Sequence, residues 1–167
     1  MIIHADTAEY VEAVRALFLE YAESLGFSLC FQDFDHELAQ LPVQYSAPTG
    51  RLLLAREEDE DAGCEAIQHL SSDLCEMKRL YVKPAFRGKG LGRALTEAAI
   101  REASTAGYGA MRLDTVEPLM SAAVALYRTL GFREIAPYRP NPIPGALYME
   151  RPLATVADRT HVMPAAR

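Results

Sequence analysis

The chain has 167 residues, half of them apolar, about a quarter charged, with a formal net charge of −6. That suits one soluble domain with a sizeable core and argues against a nucleic-acid polyanion as partner. No run approaches the ~18 consecutive apolar residues of a membrane span. The start, Met1-Ile2-Ile3-His4, lacks a signal peptide's basic and apolar regions, and Cys30, Cys64 and Cys75 lack the spacing of a metal site or disulfide framework. A reducing cytoplasm is therefore the default location, with no metal.

Ile2 and Ile3 predict a short first strand. Asp6-x-x-Glu9 reads as a capping box for a helix whose apolar face is Val11, Val14, Leu17, Phe18, Tyr21 and Leu25, closed by Gly26. A shorter helix carries Phe34, Leu38 and Leu41 and ends before Pro42. Arg51 to Arg56 and Cys64 to Leu70 read as strands, and the acidic block Glu57 to Asp61 between them as a solvated hairpin tip. Cys75 to Val82 is a fourth strand, stopped by Pro84. A long helix follows, with a stripe at Leu91, Ala94, Leu95, Ala98, Ala99, Ala103 and Ala106. Gly109 to Thr115 is a strand, and Pro118 is placed to start the next helix. Phe132 to Tyr138 and Ala146 to Leu153 complete the strands, joined by the proline-rich stretch from Arg139 to Gly145. The expected class is α/β (α+β), a single domain over 1–153, with 154–167 a loosely ordered tail.

Between the fourth strand and the long helix stands Arg87-Gly88-Lys89-Gly90-Leu91-Gly92. A strand, a glycine-rich turn and a helix N-terminus form an anion site, because free N–H groups converge and the helix dipole adds positive potential. Arg87, Lys89 and Arg93 surround it with cations, so a phosphate or pyrophosphate is the expected guest. The run lacks the Gly-Lys-Ser/Thr of a P-loop, and its third glycine falls one position early for the dinucleotide fingerprint.

Read as Arg-x-x-Gly-x-Gly, Arg87, Gly90 and Gly92 resemble the coenzyme A pyrophosphate loop of the GNAT superfamily of N-acetyltransferases. Ala123, Leu126-Tyr127 and Leu130-Gly131-Phe132 are similar to that family's second signature, a helix ending in Leu-Tyr-x-x-x-Gly-Phe. The resemblance spans roughly residues 1 to 153. It implies a GNAT-like mixed sheet of about seven strands flanked by about four helices, and acetyl-CoA as co-substrate. It also implies direct acetyl transfer to a primary amine, with a small-molecule acceptor as partner, no membrane, and a homodimer left open. A protein or peptide N-acetyltransferase and a non-catalytic coenzyme A-binding sensor are the competing readings.

The resemblance assigns Arg87, Gly88, Lys89, Gly90, Leu91, Gly92 and Arg93 to the cofactor phosphates. It assigns Leu80, Tyr81 and Val82 to the pantetheine arm through main-chain groups, with the Val82 N–H as oxyanion donor. Tyr127 is the expected general acid toward the coenzyme thiolate, and reads alternatively as a core aromatic. Glu76 is the expected general base, balanced evenly against a solvated cross-strand carboxylate. Phe27, Phe31, Tyr138 and Arg139 are the expected acceptor pocket, with Arg139 offered to a substrate carboxylate. Many family members carry an asparagine seven residues before the tyrosine; here that position is Met120, with Ser121 as the substitute. His69 is a weaker candidate for a proton relay, and Cys75 reads as a buried small residue.

Overall fold

The structure is a computed structural model and describes residues 1–154; the expected tail lies outside these almost entirely. In chain order the elements are β1 (Ile2–His4), α1 (Ala8–Ser24), α2 (Phe34–Gln40), β2 (Arg51–Glu57), β3 (Glu60–His69) and β4 (Leu74–Val82). Then come α3 (Leu91–Thr105), β5 (Ala110–Val116), α4 (Ser121–Thr129), β6 (Arg133–Ile135) and β7 (Ala146–Pro152). The seven strands form one sheet in the order β1-β2-β3-β4-β5-β7-β6, antiparallel except for the β4–β5 pair. This is the expected mixed sheet with four helices.

Each face of the sheet carries its own core. Val14, Leu17 and Phe18 of α1 pack against Leu52, Leu54, Cys64 and Ala66 on one face. Leu95, Ala98, Ala99 and Ala103 of α3 pack against Leu53, Ile67, Met77 and Leu113 on the other. A side chain as fully buried as Phe18 contributes about 1.5–3 kcal/mol. The small residues of α3 let that helix lie close to the sheet.

Several boundaries differ from the sequence reading. The cap of α1 is Thr7, whose side chain accepts from the Tyr10 N–H, so the Asp6–Glu9 box is not what starts the helix. The acidic tip closes in a two-residue turn: Glu58 and Asp59 both take positive φ, and the strands run to Glu57 and Glu60. Pro118 lies in a turn ahead of α4, which begins at Ser121, because the Leu119 and Met120 N–H groups bond back to the Val116 carbonyl. β6 is only three residues long, ending well before Tyr138.

Two irregularities of β4 shape everything that follows. The first is a bulge: Cys64 pairs with Tyr81 but Ala66 with Lys78, so two residues, Arg79 and Leu80, face Glu65 alone. Arg79 has φ 64, a left-handed conformation that costs a non-glycine residue roughly 1–2 kcal/mol. The bulge resets the alternation, so Cys75 and Met77 share the α3 face with Leu80 and Val82, while Tyr81 joins the α1 face. The second is a parting of strands. β4 pairs with β5 only from Leu74 to Glu76, opposite Ala110 to Arg112, whereas β5 stays paired with β7 as far as Val116.

Candidate active site

Where β4 and β5 part, the sheet opens into a cleft of about 620 Å³. Its walls are the downstream half of β4, the turn before α3, the middle of β5, and α4 with the residues ahead of it; the end of α1 closes one side. Lys83 donates its N–H to the Ala62 carbonyl, which makes that a hydrogen-bonded pair of the β3–β4 ladder. The adjoining pair, Val82 with Gly63, is therefore the non-hydrogen-bonded kind, and the Val82 N–H and carbonyl turn away from β3 toward the opening. The Val82 carbonyl accepts from Arg87 Nε at 2.9 Å, as that orientation requires.

The glycine turn forms the cleft's basic end. Gly88 and Gly90 both have φ 79, and a Cβ at either would meet no protein atom within 4 Å, so the turn presents bare backbone to the outside. Ala94 is the first α3 residue whose N–H finds an intrahelical acceptor, Gly90 O at 3.0 Å. The N–H groups of Leu91, Gly92 and Arg93 are the unbonded ones characteristic of a helix start. Arg87, Gly88, Gly90, Leu91 and Gly92 line the cleft together with Leu80, Tyr81 and Val82. Lys89 and Arg93 do not. Lys89 Nζ sits 5.3 Å over the Phe86 ring, and Arg93 bonds Glu97 at 3.0 Å and Thr129 at 3.2 Å on the outer side of α3.

Tyr127 lies on the α4 wall, buried and edge-on to Phe132 with ring centroids 5.7 Å apart. Its hydroxyl makes no hydrogen bond among the described residues. Burial, reinforced by the nearby Glu65 and Tyr21, pushes the phenol's pKa well up, so the proton stays on at working pH. Met120 lines the cleft and its sulfur accepts from Thr115 Oγ1 at 3.1 Å; Ser121 faces solvent and is no substitute for an asparagine there.

The expected base and acceptor residues are arranged differently. Glu76 is fully buried and absent from the cleft wall. One carboxylate oxygen accepts from Gln68 at 2.9 Å; the other accepts from Tyr138 Oη at 2.6 Å and is ion-paired with Arg139. The Tyr138 phenol is driven up by burial and by that carboxylate. Glu76, Tyr138 and Arg139 thus form a closed clamp fastening the proline-rich connection to β4, and Arg139 is spent on Glu76. Tyr138 and Arg139 border a separate hollow of about 350 Å³ with Gln32, Leu70 and Pro140. Phe27 packs against the α1-side core instead of the cleft. Phe31 falls on a 3-10 turn, and its side chain lies outside the described residues. His69 is remote from the cleft, bonded to Tyr108 at 3.1 Å. Cys75 is buried, its thiol pushed up to about 12, chiefly by desolvation.

The sequence reading missed Asp114. It is the one carboxylate on the cleft wall among the described residues, held there by Asn141 Nδ2 at 3.1 Å and Gln32 Nε2 at 3.5 Å. The alternation of β5, with Met111 and Leu113 inward, signals a polar residue on the opposite face, but only the parting of strands exposes it. Missed as well was the buried ion cluster beside it. Arg79 grips Glu37 of α2 with both ends of its guanidinium, at 2.9 and 3.0 Å, and donates to Gln32 at 2.7 Å. Burial raises the Glu37 carboxyl, but Arg79 and Lys78 more than offset this and hold it below the ordinary range. No group of metal-ligating side chains occurs among the described residues, and none of their helices is long and apolar enough to cross a membrane.

The sheet is parted beside a basic glycine turn, and the comparisons give the family in which this arrangement stands. The profile of the acetyltransferase (GNAT) domain matches residues 48–134. An uncharacterized N-acetyltransferase of Schizosaccharomyces pombe is 42% identical over 137 residues, covering 81% of this chain and 83% of the relative. The IAA acetyltransferase of Azospirillum brasilense is 39% identical over 108 residues, 64% of this chain and 70% of its own. Among solved structures, a Salmonella typhimurium protein with its cofactor acetyl-CoA superposes with TM-score 0.71, at 23% identity, over 100% of this chain and 98% of that one. The chain belongs to the GNAT acetyltransferase family. It is an acyltransferase of the N-acetyltransferase type.

Proposed function

We propose that the protein moves the acetyl group of acetyl-CoA directly onto the primary amine of a small molecule. The observation that carries this reading is the freed edge of β4, with the Val82 N–H turned into a cleft that has an anion-binding turn at one end and the Tyr127 hydroxyl on its wall. The Arg87–Gly92 turn receives the pyrophosphate, and the pantetheine arm lies along Leu80, Tyr81 and Val82 as an added strand. The neutral amine attacks the thioester carbonyl, whose developing oxyanion takes the Val82 N–H. Collapse breaks the carbon–sulfur bond, and the departing thiolate takes the Tyr127 proton. The amine's surplus proton passes to Asp114, the acid–base group within the cleft, and Glu76 keeps its place in the clamp. Lys89 and Arg93 add long-range positive potential without contact. The end of α1 borders the cleft through Tyr21, Ser24 and Leu25, and a volume of about 620 Å³ suits a small acceptor beside the cofactor.

The test is thiol release from acetyl-CoA against a panel of amines, amino acids and peptides, read beside a thermal shift with acetyl-CoA. At ligand a hundredfold above Kd, linkage adds about 2.7 kcal/mol of stability. Gly90→Ala puts a methyl group where the pyrophosphate must lie, at a position with no protein neighbour to clash with. The shift should disappear while the variant stays folded. A full shift in folded Gly90→Ala moves the cofactor elsewhere.

A further inference from the structure

The β4–β5 register carries the acceptor question further. The last paired residues are Glu76 and Arg112, so two positions on, along parallel strands and on the same face, come Lys78 and Asp114. They stand on opposite lips of the opening, both line the cleft, and no ion pair joins them. Asp114 is held by two amides that carry no charge. Lys78 is in the opposite situation. Its side chain is 6% exposed, and among the described residues its ammonium has a single hydrogen-bond partner, a Glu37 oxygen at 3.4 Å that Arg79 already holds at 3.0 Å. Around it stand Arg79 and Arg139 as further cations, and Glu37 and Glu76 as anions, each of them already matched to an arginine. Lys78 is thus a buried cation that shares one anion with Arg79 and has no second hydrogen-bond partner among the described residues, an arrangement that a ligand's negative charge would relieve. Desolvation and Arg79 pull its pKa down, as that lack of compensation requires.

We infer that the acceptor is an amino acid-like molecule, its amine directed to Asp114 and its carboxylate to Lys78. This deepens the acetyl-transfer reading and rests on it for the chemistry. The two lips separate two opposite charges across a gap, which is the pattern of a zwitterion. A simple amine leaves Lys78 with only the Glu37 carboxylate that it shares with Arg79, and a peptide N-terminus has an amide where the carboxylate would lie.

The test compares each of the twenty common amino acids with its own carboxamide. Binding to the protein–coenzyme A complex is measured by calorimetry, and turnover by thiol release. For the amino acids that are accepted, the acid should bind and turn over at least ~10-fold better than the amide. In Lys78→Met, which keeps the stem and removes the charge, that preference should collapse toward unity. Equal use of acid and amide by the wild-type protein overturns the inference and points to a peptide or simple amine; so does binding of no acid at all. A preference that survives Lys78→Met overturns it too, and the wild-type comparison decides alone should the variant not fold. Lys78-dependent binding of acids without thiol release would instead keep the carboxylate site and sink the acetyl-transfer reading.

Discussion

The two halves of β4 belong to one strand and have opposite surroundings. From Leu74 to Glu76 the strand is paired on both edges, and Glu76 has every oxygen occupied in a clamp. From Leu80 to Val82 the edge toward β5 is unpaired, and the same kind of backbone becomes a cleft wall. The bulge at Arg79 separates them. It turns one arginine into α2, where Glu37 compensates it, and realigns the next residues with the cleft. A carboxylate's surroundings here follow from which side of that bulge, and of the strand parting, it occupies: Glu76 is enclosed by its partners, whereas Asp114, two positions beyond the last β5 partner, lies on the cleft wall.

The hardest break falls on the bulge itself. Glu37→Gln leaves Arg79 and Lys78 buried without their anion, and removing one member of such a cluster costs about 3–5 kcal/mol. Denaturant unfolding should show it. Because the folded Glu37 carboxyl lies below its unfolded value, its contribution is present above the ordinary carboxylate range and vanishes as pH falls through the folded pKa. The gap between wild type and variant should therefore narrow in acid, and a gap independent of pH would deny Glu37 its charge.

Next come the two cleft residues. Tyr127→Phe and Asp114→Asn should each lower kcat by ~10²-fold, equivalent to about 2.7 kcal/mol, with the acetyl-CoA thermal shift retained. Wild-type kcat in Tyr127→Phe would reduce the tyrosine to packing against Phe132. On the closed half the reverse pattern is expected. Glu76→Gln keeps the side chain's shape but strands the partly exposed Arg139, costing roughly 1–3 kcal/mol of stability while kcat stays within ~3-fold. A fall of ~10²-fold at full stability would return the base role to Glu76.

The smallest effect concerns Glu65, opposite the bulge on β3. It is fully buried, both carboxylate oxygens lack a hydrogen-bond partner among the described residues, and burial drives its pKa well up. The unfolded chain releases that proton far more readily, so Glu65 weakens the fold at neutral pH, and this penalty fades as pH drops toward the unfolded pKa. Glu65→Met should stabilise by about 1–2 kcal/mol at pH 7 and by less near pH 4, read by thermal melts at both.

Local pattern settles local structure, and much of this protein was legible that way. The 3.6-residue stripe of α3, the alternation of its strands and the glycine turn each follow from chemistry within a few residues. The Arg87–Gly92 turn was legible because its backbone requirements are written in adjacent positions, and the Leu126-Tyr127 helix end through its resemblance to the family's second signature. Lys78, Arg79 and Asp114 were not, since nothing in Met77-Lys78-Arg79-Leu80 marks a left-handed residue, and Leu113-Asp114-Thr115 reads as any strand with a polar outer face. Their roles depend on partners far along the chain: Glu37 for Arg79, and the departure of β5 from β4 for Asp114. Glu76 shows the converse, a carboxylate suited to catalysis by position in sequence and claimed instead by Arg139 and Tyr138 from a loop more than sixty residues away. Sequence by itself determined the order of the elements, the glycine turn and the family. Tertiary structure decided which charges are spent on each other and which face the cleft, because electrostatic pairing depends on distance through space and not along the chain.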